Sequence, residues 1–223
     1  ELRERIPAEE LPHLKTIIYV TGKDVKDYKH EKDAAVRGRV NIVNYHDAMG
    51  KAPEKFDIVF GDKEMSMILH YTSGSTGKPK GVLHVHGAMI GHYQTGLWVL
   101  DIKENDILWC TADPGWVTGT SYGIFAPWLH GITNVIKGGR FDPDSWYKCL
   151  QDHKVTIWYS APTAFRLLMS KGDGKEKNYD MSSVRHICSV GEPLNPEVIY
   201  WGLDAYGLPI HDTWWMTETG HQL

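Results

Sequence analysis

Residues 71–81 carry more chemical information than any other stretch of the chain, and they read YTSGSTGKPKG. Glycines let backbone N–H groups approach a ligand, hydroxyl side chains donate hydrogen bonds, and lysines neutralise negative charge. This combination predicts an anion-binding loop whose expected ligand is a nucleotide polyphosphate. A flexible polar linker is the alternative, but Pro79 restricts the backbone between Lys78 and Lys80, which such a linker does not require.

Two well-known phosphate loops do not fit this segment. The Walker pattern GxxxxGK[ST] requires a glycine where Thr72 stands and a hydroxyl residue where Pro79 stands. The glycine spacing also differs from the GxGxxG pattern of dinucleotide-binding folds. The sequence therefore predicts neither a P-loop nucleotidase nor a Rossmann dinucleotide site.

Short runs of β-branched and aromatic residues alternate with helical patterns along the chain. Candidate strands cover residues 16–20, 41–45, 65–71, 82–85, 107–110, 134–137, 155–160, 186–190 and 210–214. Candidate helices cover residues 87–100, 143–153, 162–170 and 196–206. This alternation predicts an α/β fold with largely parallel sheets and flanking helices, in which ligands bind at the carboxyl ends of the strands.

The composition argues against several classes of partner. With 24 Lys and Arg against 28 Asp and Glu, the net charge is -4, so we expect no nucleic acid held by a general basic surface. The cysteines Cys110, Cys149 and Cys188 form no CxxC pair, which disfavours a zinc cluster and favours a cytoplasmic location. The longest apolar run, residues 122–129, is shorter than the roughly 20 residues of a membrane span, so no membrane partner is expected.

The segment 71–82 resembles the signature phosphate loop of the AMP-forming acyl-adenylate superfamily, which includes acyl-CoA synthetases, peptide-synthetase adenylation domains and luciferases. The resemblance implies a partial N-terminal domain of these enzymes: residues 1–223 would be a central fragment of the AMP-binding (adenylation) domain. The amino-terminal region and the C-terminal mobile domain are expected to be absent, and the fragment alone to be inactive. The resemblance assigns ATP binding to Thr72, Ser73, Gly74, Ser75, Thr76, Gly77, Lys78 and Lys80.

Two further segments have glycine-rich sequences typical of loops. Residues 113–123 read DPGWVTGTSYG, and from the residues alone they predict a turn with packing aromatics. By resemblance to the acetyl-CoA synthetase branch of the superfamily, Val117 and Thr118 border the acyl group and the thiol of coenzyme A, whereas Trp116 packs. In the second segment Gly191, Glu192 and Pro193 predict a tight turn. The resemblance implies that this turn lies along adenine, through its backbone more than its carboxylate, and that Val190 lines the acyl pocket.

Residues 212–220 read DTWWMTETG. From composition alone, a core plug with a polar exit is expected. The resemblance instead implies a nucleotide-binding segment formed by Asp212, Thr213, Trp214, Trp215, Met216 and Thr217. Thr217 would bind the α-phosphate and Glu218 would ligate Mg²⁺, a hard cation. Met216 departs from the glutamine of many acetyl-CoA synthetases.

Trp215 is the expected determinant of substrate size. A bulky indole would close the acyl pocket to acids of more than about two or three carbons, which favours acetate or propionate. The implied reaction consumes ATP and a short carboxylate, forms an acyl-adenylate and pyrophosphate, and then forms acyl-CoA and AMP. Lys80, Thr217 and Glu218 would act by alignment and charge neutralisation. An amino-acid or other acid adenylation module and a non-catalytic nucleotide-binding domain stay open as alternatives.

Overall fold

The computed structural model describes residues 13–20, 41–72, 77–172 and 174–223. The chain divides into two compact units, residues 1–60 and 61–223. In the first unit β1 (Thr16–Tyr19) pairs in parallel with β2 (Asn41–Asn44), which leads into helix α1 (Tyr45–Met49). The Asn44 side chain caps α1, because its carbonyl oxygen accepts hydrogen bonds from the backbone nitrogens of His46 (2.8 Å) and Asp47 (3.3 Å).

The second unit begins with an antiparallel hairpin. Strands β3 (Ser66–Thr72) and β4 (Lys80–Val85) pair from Ser66 opposite Val85 to Thr72 opposite Lys80. Thr72 and Lys80, both predicted to bind ATP, therefore lie opposite each other at the end of the hairpin. This two-stranded sheet is the exception to the largely parallel arrangement that the sequence predicts.

The remaining strands form one parallel sheet in the order β6-β5-β7-β8-β9. Their bounds are β5 (Ile107–Cys110), β6 (Thr133–Val135), β7 (Ile157–Ser160), β8 (His186–Ser189) and β9 (Ile210–Asp212). Every pair within it is parallel, which confirms the α/β class. From β5 the chain passes first to β6, on one side of β5, and then to β7, on the other side of β5. The reversal between β5 and β7 is the place where α/β sheets bind ligands.

One face of this sheet is covered by three helices: α5 (Pro143–Asp152), α6 (Pro162–Gly172) and α7 (Pro196–Tyr206). Each helix begins with proline, whose fixed φ suits the first turn. Alternate strand residues, among them Trp109 and Trp158, point into this layer, where their rings stack with centroids 6.3 Å apart.

The other face packs against a continuous helical segment over residues 117–129, and α2 (Ala88–Trp98) packs against that segment. That segment consists of α3 (Val117–Thr120), a π-helical turn (Ser121–Phe125) and α4 (Ala126–Leu129). The loop predicted for residues 113–123 is thus wrong from Val117 onward. Burial of Tyr122 and Ala126 against the sheet outweighs the weak helix propensity of the glycines and β-branched residues.

The structure also bears on the expectations for Trp116 and for helices that could cross a membrane. The prediction that Trp116 packs is wrong, because 71% of its surface is exposed. In the part of the chain that the structure describes, every helix falls short of the length and apolarity needed to cross a bilayer.

Candidate functional site

A cavity of about 460 Å³ opens at the carboxyl edge of the parallel sheet, beside the reversal between β5 and β7. Its walls come chiefly from residues just after strand ends: Thr111, Ala112, Asp113, Ala161, Thr163, Val190, Gly191 and Glu192. The volume lies within the range of about 300–1,000 Å³ that is typical of small-molecule sites. The structure therefore provides a ligand-sized cleft where this class of sheet binds ligands.

The residues predicted to contact the acyl group meet at this cavity. Val117 and Thr118, at the start of α3, and Val190, after β8, all line it. Trp215 has 9% of its surface exposed and belongs to the same apolar cluster as Val190, against which Val117 also packs. Three of the four predicted residues thus line the cavity, whereas Trp215 shares the apolar cluster but is not among the lining residues.

The Gly191–Glu192 turn is shaped by one glycine and one ion pair. Gly191 has φ +94°, a left-handed conformation that favours glycine. The Glu192 carboxylate accepts hydrogen bonds from the Thr163 hydroxyl at 2.7 and 2.8 Å and pairs with Arg166. The hydroxyl of Thr163, together with Arg166, holds the pKa of Glu192 below its ordinary value. With the carboxylate engaged inside the protein, the backbone of the turn and the exposed ring of Pro193 remain for a ligand.

The segment after β9 alternates between core and solvent. Thr213 donates a hydrogen bond to the carbonyl oxygen of Ser189 at 2.8 Å, which ties the segment to β8. Trp214 and Met216 are exposed, as is the preceding Asp212, whereas Trp215 is buried between them. The adjacent aromatic residues therefore face opposite environments, and only Trp215 belongs to the core.

A turn at residues 216–220 presents the predicted phosphate and metal residues. The backbone nitrogens of Thr219 and Gly220 both donate to the carbonyl oxygen of Met216, at 3.2 Å each. Thr217 is partly buried and the carboxylate of Glu218 is exposed. The described residues contain no group of three or more potential metal ligands. A single carboxylate nevertheless suits Mg²⁺, which binds through one or two carboxylates together with substrate phosphates and water.

His84, on β4, joins the hairpin to this turn, a contact that the sequence analysis missed. Its Nε2 lies 2.7 Å from the carbonyl oxygen of Thr217, so the ring nitrogen donates. A Cβ on Gly220 would lie 2.9 Å from Cε1 of the His84 ring, so glycine allows this close approach. The contact spans 133 positions of sequence, and only the period-2 spacing of His84 and His86 hints at it.

The described part of the predicted phosphate loop is exposed. Gly77 has φ +85°, and the side chains of Lys78 and Lys80 face solvent. Across the ranges that the structure describes, neither lysine has a carboxylate partner, and neither lines the cavity. Thr72 pairs with Lys80 at the end of the hairpin. Ser73, Gly74, Ser75 and Thr76, also predicted to bind phosphate, lie outside the described residues.

The parallel sheet, with a cleft at its switch point, defines an α/β ligand-binding domain. The chain belongs to the AMP-binding enzyme family, whose model matches residues 2–223. It is 59% identical over 223 residues to the acetyl-coenzyme A synthetase of Bacillus subtilis, covering 100% of this chain and 37% of the relative. It is 48% identical over 183 residues to the acetyl-coenzyme A synthetase of Methanothrix soehngenii, covering 79% of this chain and 27% of the relative.

Solved structures agree with the sequence relatives. The crystal structure of Brucella canis acyl-CoA synthetase superposes with a TM-score of 0.78 at 28% identity, covering 92% of this chain and 39% of that chain. The chain therefore spans well under half the length of the proteins it matches.

Proposed function

We propose that this chain is the nucleotide- and acyl-binding core of an AMP-forming acetate–CoA ligase that acts on acetate, ATP and coenzyme A. The observation that carries the proposal is the cavity at the carboxyl edge of the sheet, where Val117, Thr118 and Val190 meet. Trp215 belongs to the apolar cluster that contains Val190. The relatives named acetyl-coenzyme A synthetase support it. In this proposal residues 1–223 form the central part of an adenylation domain.

In the first half-reaction, a carboxylate oxygen of acetate attacks the α-phosphorus of ATP. The bond from that phosphorus to the bridging oxygen breaks, and pyrophosphate leaves. Acetate is already ionised at neutral pH, so the step requires alignment and charge neutralisation rather than a general base. Lys78 and Lys80 supply exposed positive charge to the phosphates, and the Thr217 hydroxyl donates to the α-phosphate.

In the second half-reaction, the thiolate of coenzyme A attacks the acyl carbon. A thioester bond forms, the bond from the acyl carbon to the phosphate oxygen breaks, and AMP leaves. Val117 and Thr118 would border the reacting groups, because both line the cavity from the start of α3. The Gly191–Pro193 turn and residues 212–217 would hold the adenine and phosphates of the nucleotide throughout.

Glu218 is the residue that would hold Mg²⁺. Its exposed carboxylate offers the hard oxygen that this cation prefers. When bound, Mg²⁺ neutralises phosphate charge as a Lewis acid. The chain's own contribution is the turn that presents the carboxylate, which the His84 contact to Thr217 anchors.

Trp215 would select the acid by size. In this proposal the buried indole borders the acyl group and would leave room for about two or three carbons, so acetate is the expected substrate and propionate its near neighbour. We also propose a cytoplasmic location, which is consistent with three free and buried cysteines.

Product analysis tests this function. Full-length protein is incubated with acetate, ATP, Mg²⁺ and coenzyme A, and the nucleotides and thioesters are separated by chromatography. We expect AMP and acetyl-CoA in equal amounts, and a loss of both with Glu218→Gln. Formation of ADP instead of AMP, or of AMP without acetyl-CoA, would contradict the proposal.

A further inference from the structure

A chain of buried hydrogen bonds crosses the apolar cluster that contains Trp215. Its centre is Gln222, whose side chain and backbone are 1% exposed. The Gln222 backbone nitrogen donates to the hydroxyl of Tyr122 at 2.7 Å, and the Gln222 Nε2 donates to the hydroxyl of Tyr159 at 2.9 Å. Both tyrosines are fully buried. Gln222 thus bridges two buried phenols with two donors.

The network extends from each phenol to a threonine hydroxyl. Tyr122 Oη lies 2.7 Å from Thr95 Oγ1, which donates to the carbonyl oxygen of Gly91 at 2.7 Å. Tyr159 Oη lies 2.8 Å from Thr213 Oγ1, which donates to the carbonyl oxygen of Ser189 at 2.8 Å. With the threonine hydrogens engaged in this way, each phenol donates to its threonine and accepts from Gln222.

The hydrogen-bonded network restrains the segment around Trp215 through Thr213, Gln222 and Tyr122. Thr213 lies two residues before Trp215 and bonds Tyr159, whereas Gln222 lies seven residues after it and bonds both Tyr122 and Tyr159. The Tyr122 ring also packs edge-on against the Trp215 indole, with centroids 5.0 Å apart and planes at 80°. Tyr122 and Tyr159 contact each other edge-on at 5.9 Å.

We propose that Gln222 and Tyr122 are positioning residues that set the length of the acyl chain by holding the Trp215 indole in place. The inference rests on the proposed acyl pocket. These buried hydrogen bonds restrict the residues that form them, although Gln222 Oε1 and Trp215 Nε1 have no partner among the described residues. Losing one member of the network would leave further donors or acceptors unpaired in a low-dielectric interior. The segment around Trp215 then relaxes and the indole moves. Because one methylene in an apolar pocket is worth about 10- to 200-fold in discrimination, a small movement is enough to change the preferred acid.

Three variants of the full-length protein test this role. Gln222→Met keeps the length of the side chain but removes its donor, and Tyr122→Phe removes one phenol hydroxyl. Thr213→Val removes the threonine hydroxyl at the half-buried end of the hydrogen-bonded network. The kcat/KM for propionate and for acetate is measured for each variant. We expect the propionate-to-acetate ratio to rise roughly three- to tenfold. A role in stability alone would lower both values equally and leave the ratio unchanged.

The matched control is Tyr147→Phe. Tyr147 is also fully buried, and its hydroxyl lies 3.0 Å from that of Tyr206 in the cluster on the opposite face of the sheet. Burial raises the pKa of both Tyr122 and Tyr147 to about 12, so the two substitutions remove chemically similar groups. We expect the control to lower the melting temperature but to keep the wild-type ratio of acids.

The outcomes separate this inference from the proposed function. If Gln222→Met and Thr213→Val keep the wild-type ratio, the inference is wrong even where Tyr122→Phe does not fold. An equal change in Tyr147→Phe would also overturn it. If the wild-type protein activates neither acetate nor propionate, or if Trp215→Gly keeps the same preference, the proposed function fails instead.

Discussion

At the scale of single residues, Trp215 and Trp214 are neighbours with opposite surroundings. The indole of Trp215 is buried in the apolar cluster that contains Val190, whereas 64% of the Trp214 surface is exposed. Exposed and buried side chains alternate from Trp214 to Met216. A limit on substrate size in the acyl pocket would therefore depend on Trp215 and not on Trp214. This makes Trp214 a suitable control position.

Replacing Trp215 by glycine should open the acyl pocket. We expect the kcat/KM for butyrate to rise at least tenfold relative to that for acetate, because the space of a whole indole becomes available. The same change should lower the free energy of unfolding by about 3–5 kcal/mol, as is usual when a large buried aromatic is removed. Steady-state kinetics over a series of acids measures the first effect. Trp214→Gly is the control and should keep the wild-type preference, whatever its effect on the KM for ATP.

His92, on α2, makes the stability of the fold depend on pH. It is 2% exposed, and neither ring nitrogen has a hydrogen-bond partner among the described residues. Burial lowers its pKa to about 4, and the neighbouring His221 adds to the shift, while the backbone of Gly220 opposes it. The unfolded chain, with an ordinary histidine pKa near 6.5, therefore takes up the proton first as the pH falls.

Stability should consequently decline as the pH falls from about 6.5 towards 4, by on the order of 3 kcal/mol from this residue alone. Denaturant unfolding at a series of pH values measures the decline. His92→Phe removes the titrating group and should flatten this part of the profile. An unchanged slope in the variant would mean that other groups cause the acid sensitivity.

At the scale of elements, Gly119 determines how α3 begins beside the cavity. A Cβ at this position would lie 2.1 Å from the carbonyl oxygen of Asp113, a backbone atom that cannot move aside alone. Gly119→Ala should therefore displace the 113–118 connection, on which Val117 and Thr118 lie. We expect a loss of at least tenfold in kcat/KM for acetate, measured from the initial rate of acetyl-CoA formation by the full-length protein. Gly138→Ala is the matched control, because a Cβ there meets no atom within 4 Å, and it should keep wild-type activity.

Most strands and helices could be predicted from local sequence. The strand residues 107–110 and 186–189 are apolar runs buried in the sheet, and α5, α6 and α7 each begin at a proline that the sequence marks as a helix start. The helical segment over residues 117–129 could not be predicted. Its residues favour turns locally, and packing of Tyr122 on the sheet decides its structure.

In the candidate site, too, some residues could be predicted from the sequence and others could not. Val117, Thr118 and Val190 follow strand ends, so a parallel sheet brings them together, and the motif resemblance points to each of them. His84 and Gln222 act through contacts that span 133 and 100 positions of sequence. No local pattern specifies such pairings, because they depend on how the hairpin and the last segment pack against the core.

At the scale of the whole molecule, the parallel sheet positions segments that are far apart in sequence. Three strand ends supply the walls of the cavity, and the residues after β9 supply Trp215 and the turn that carries Glu218. Both tyrosines of the buried network belong to the layer on the same face of the sheet as Trp215. Acid selection and nucleotide binding are thus predicted to share one edge of the sheet.

The central claim is that this edge activates a short carboxylate by adenylation. Exchange of labelled pyrophosphate into ATP by the full-length protein, without coenzyme A, tests it most directly. Acetate, propionate, butyrate and a set of amino acids are supplied one at a time. We expect the fastest exchange with acetate, slower exchange with propionate, and rates near background with butyrate and the amino acids. Exchange with butyrate equal to that with acetate, or no exchange that depends on a carboxylic acid, would contradict it.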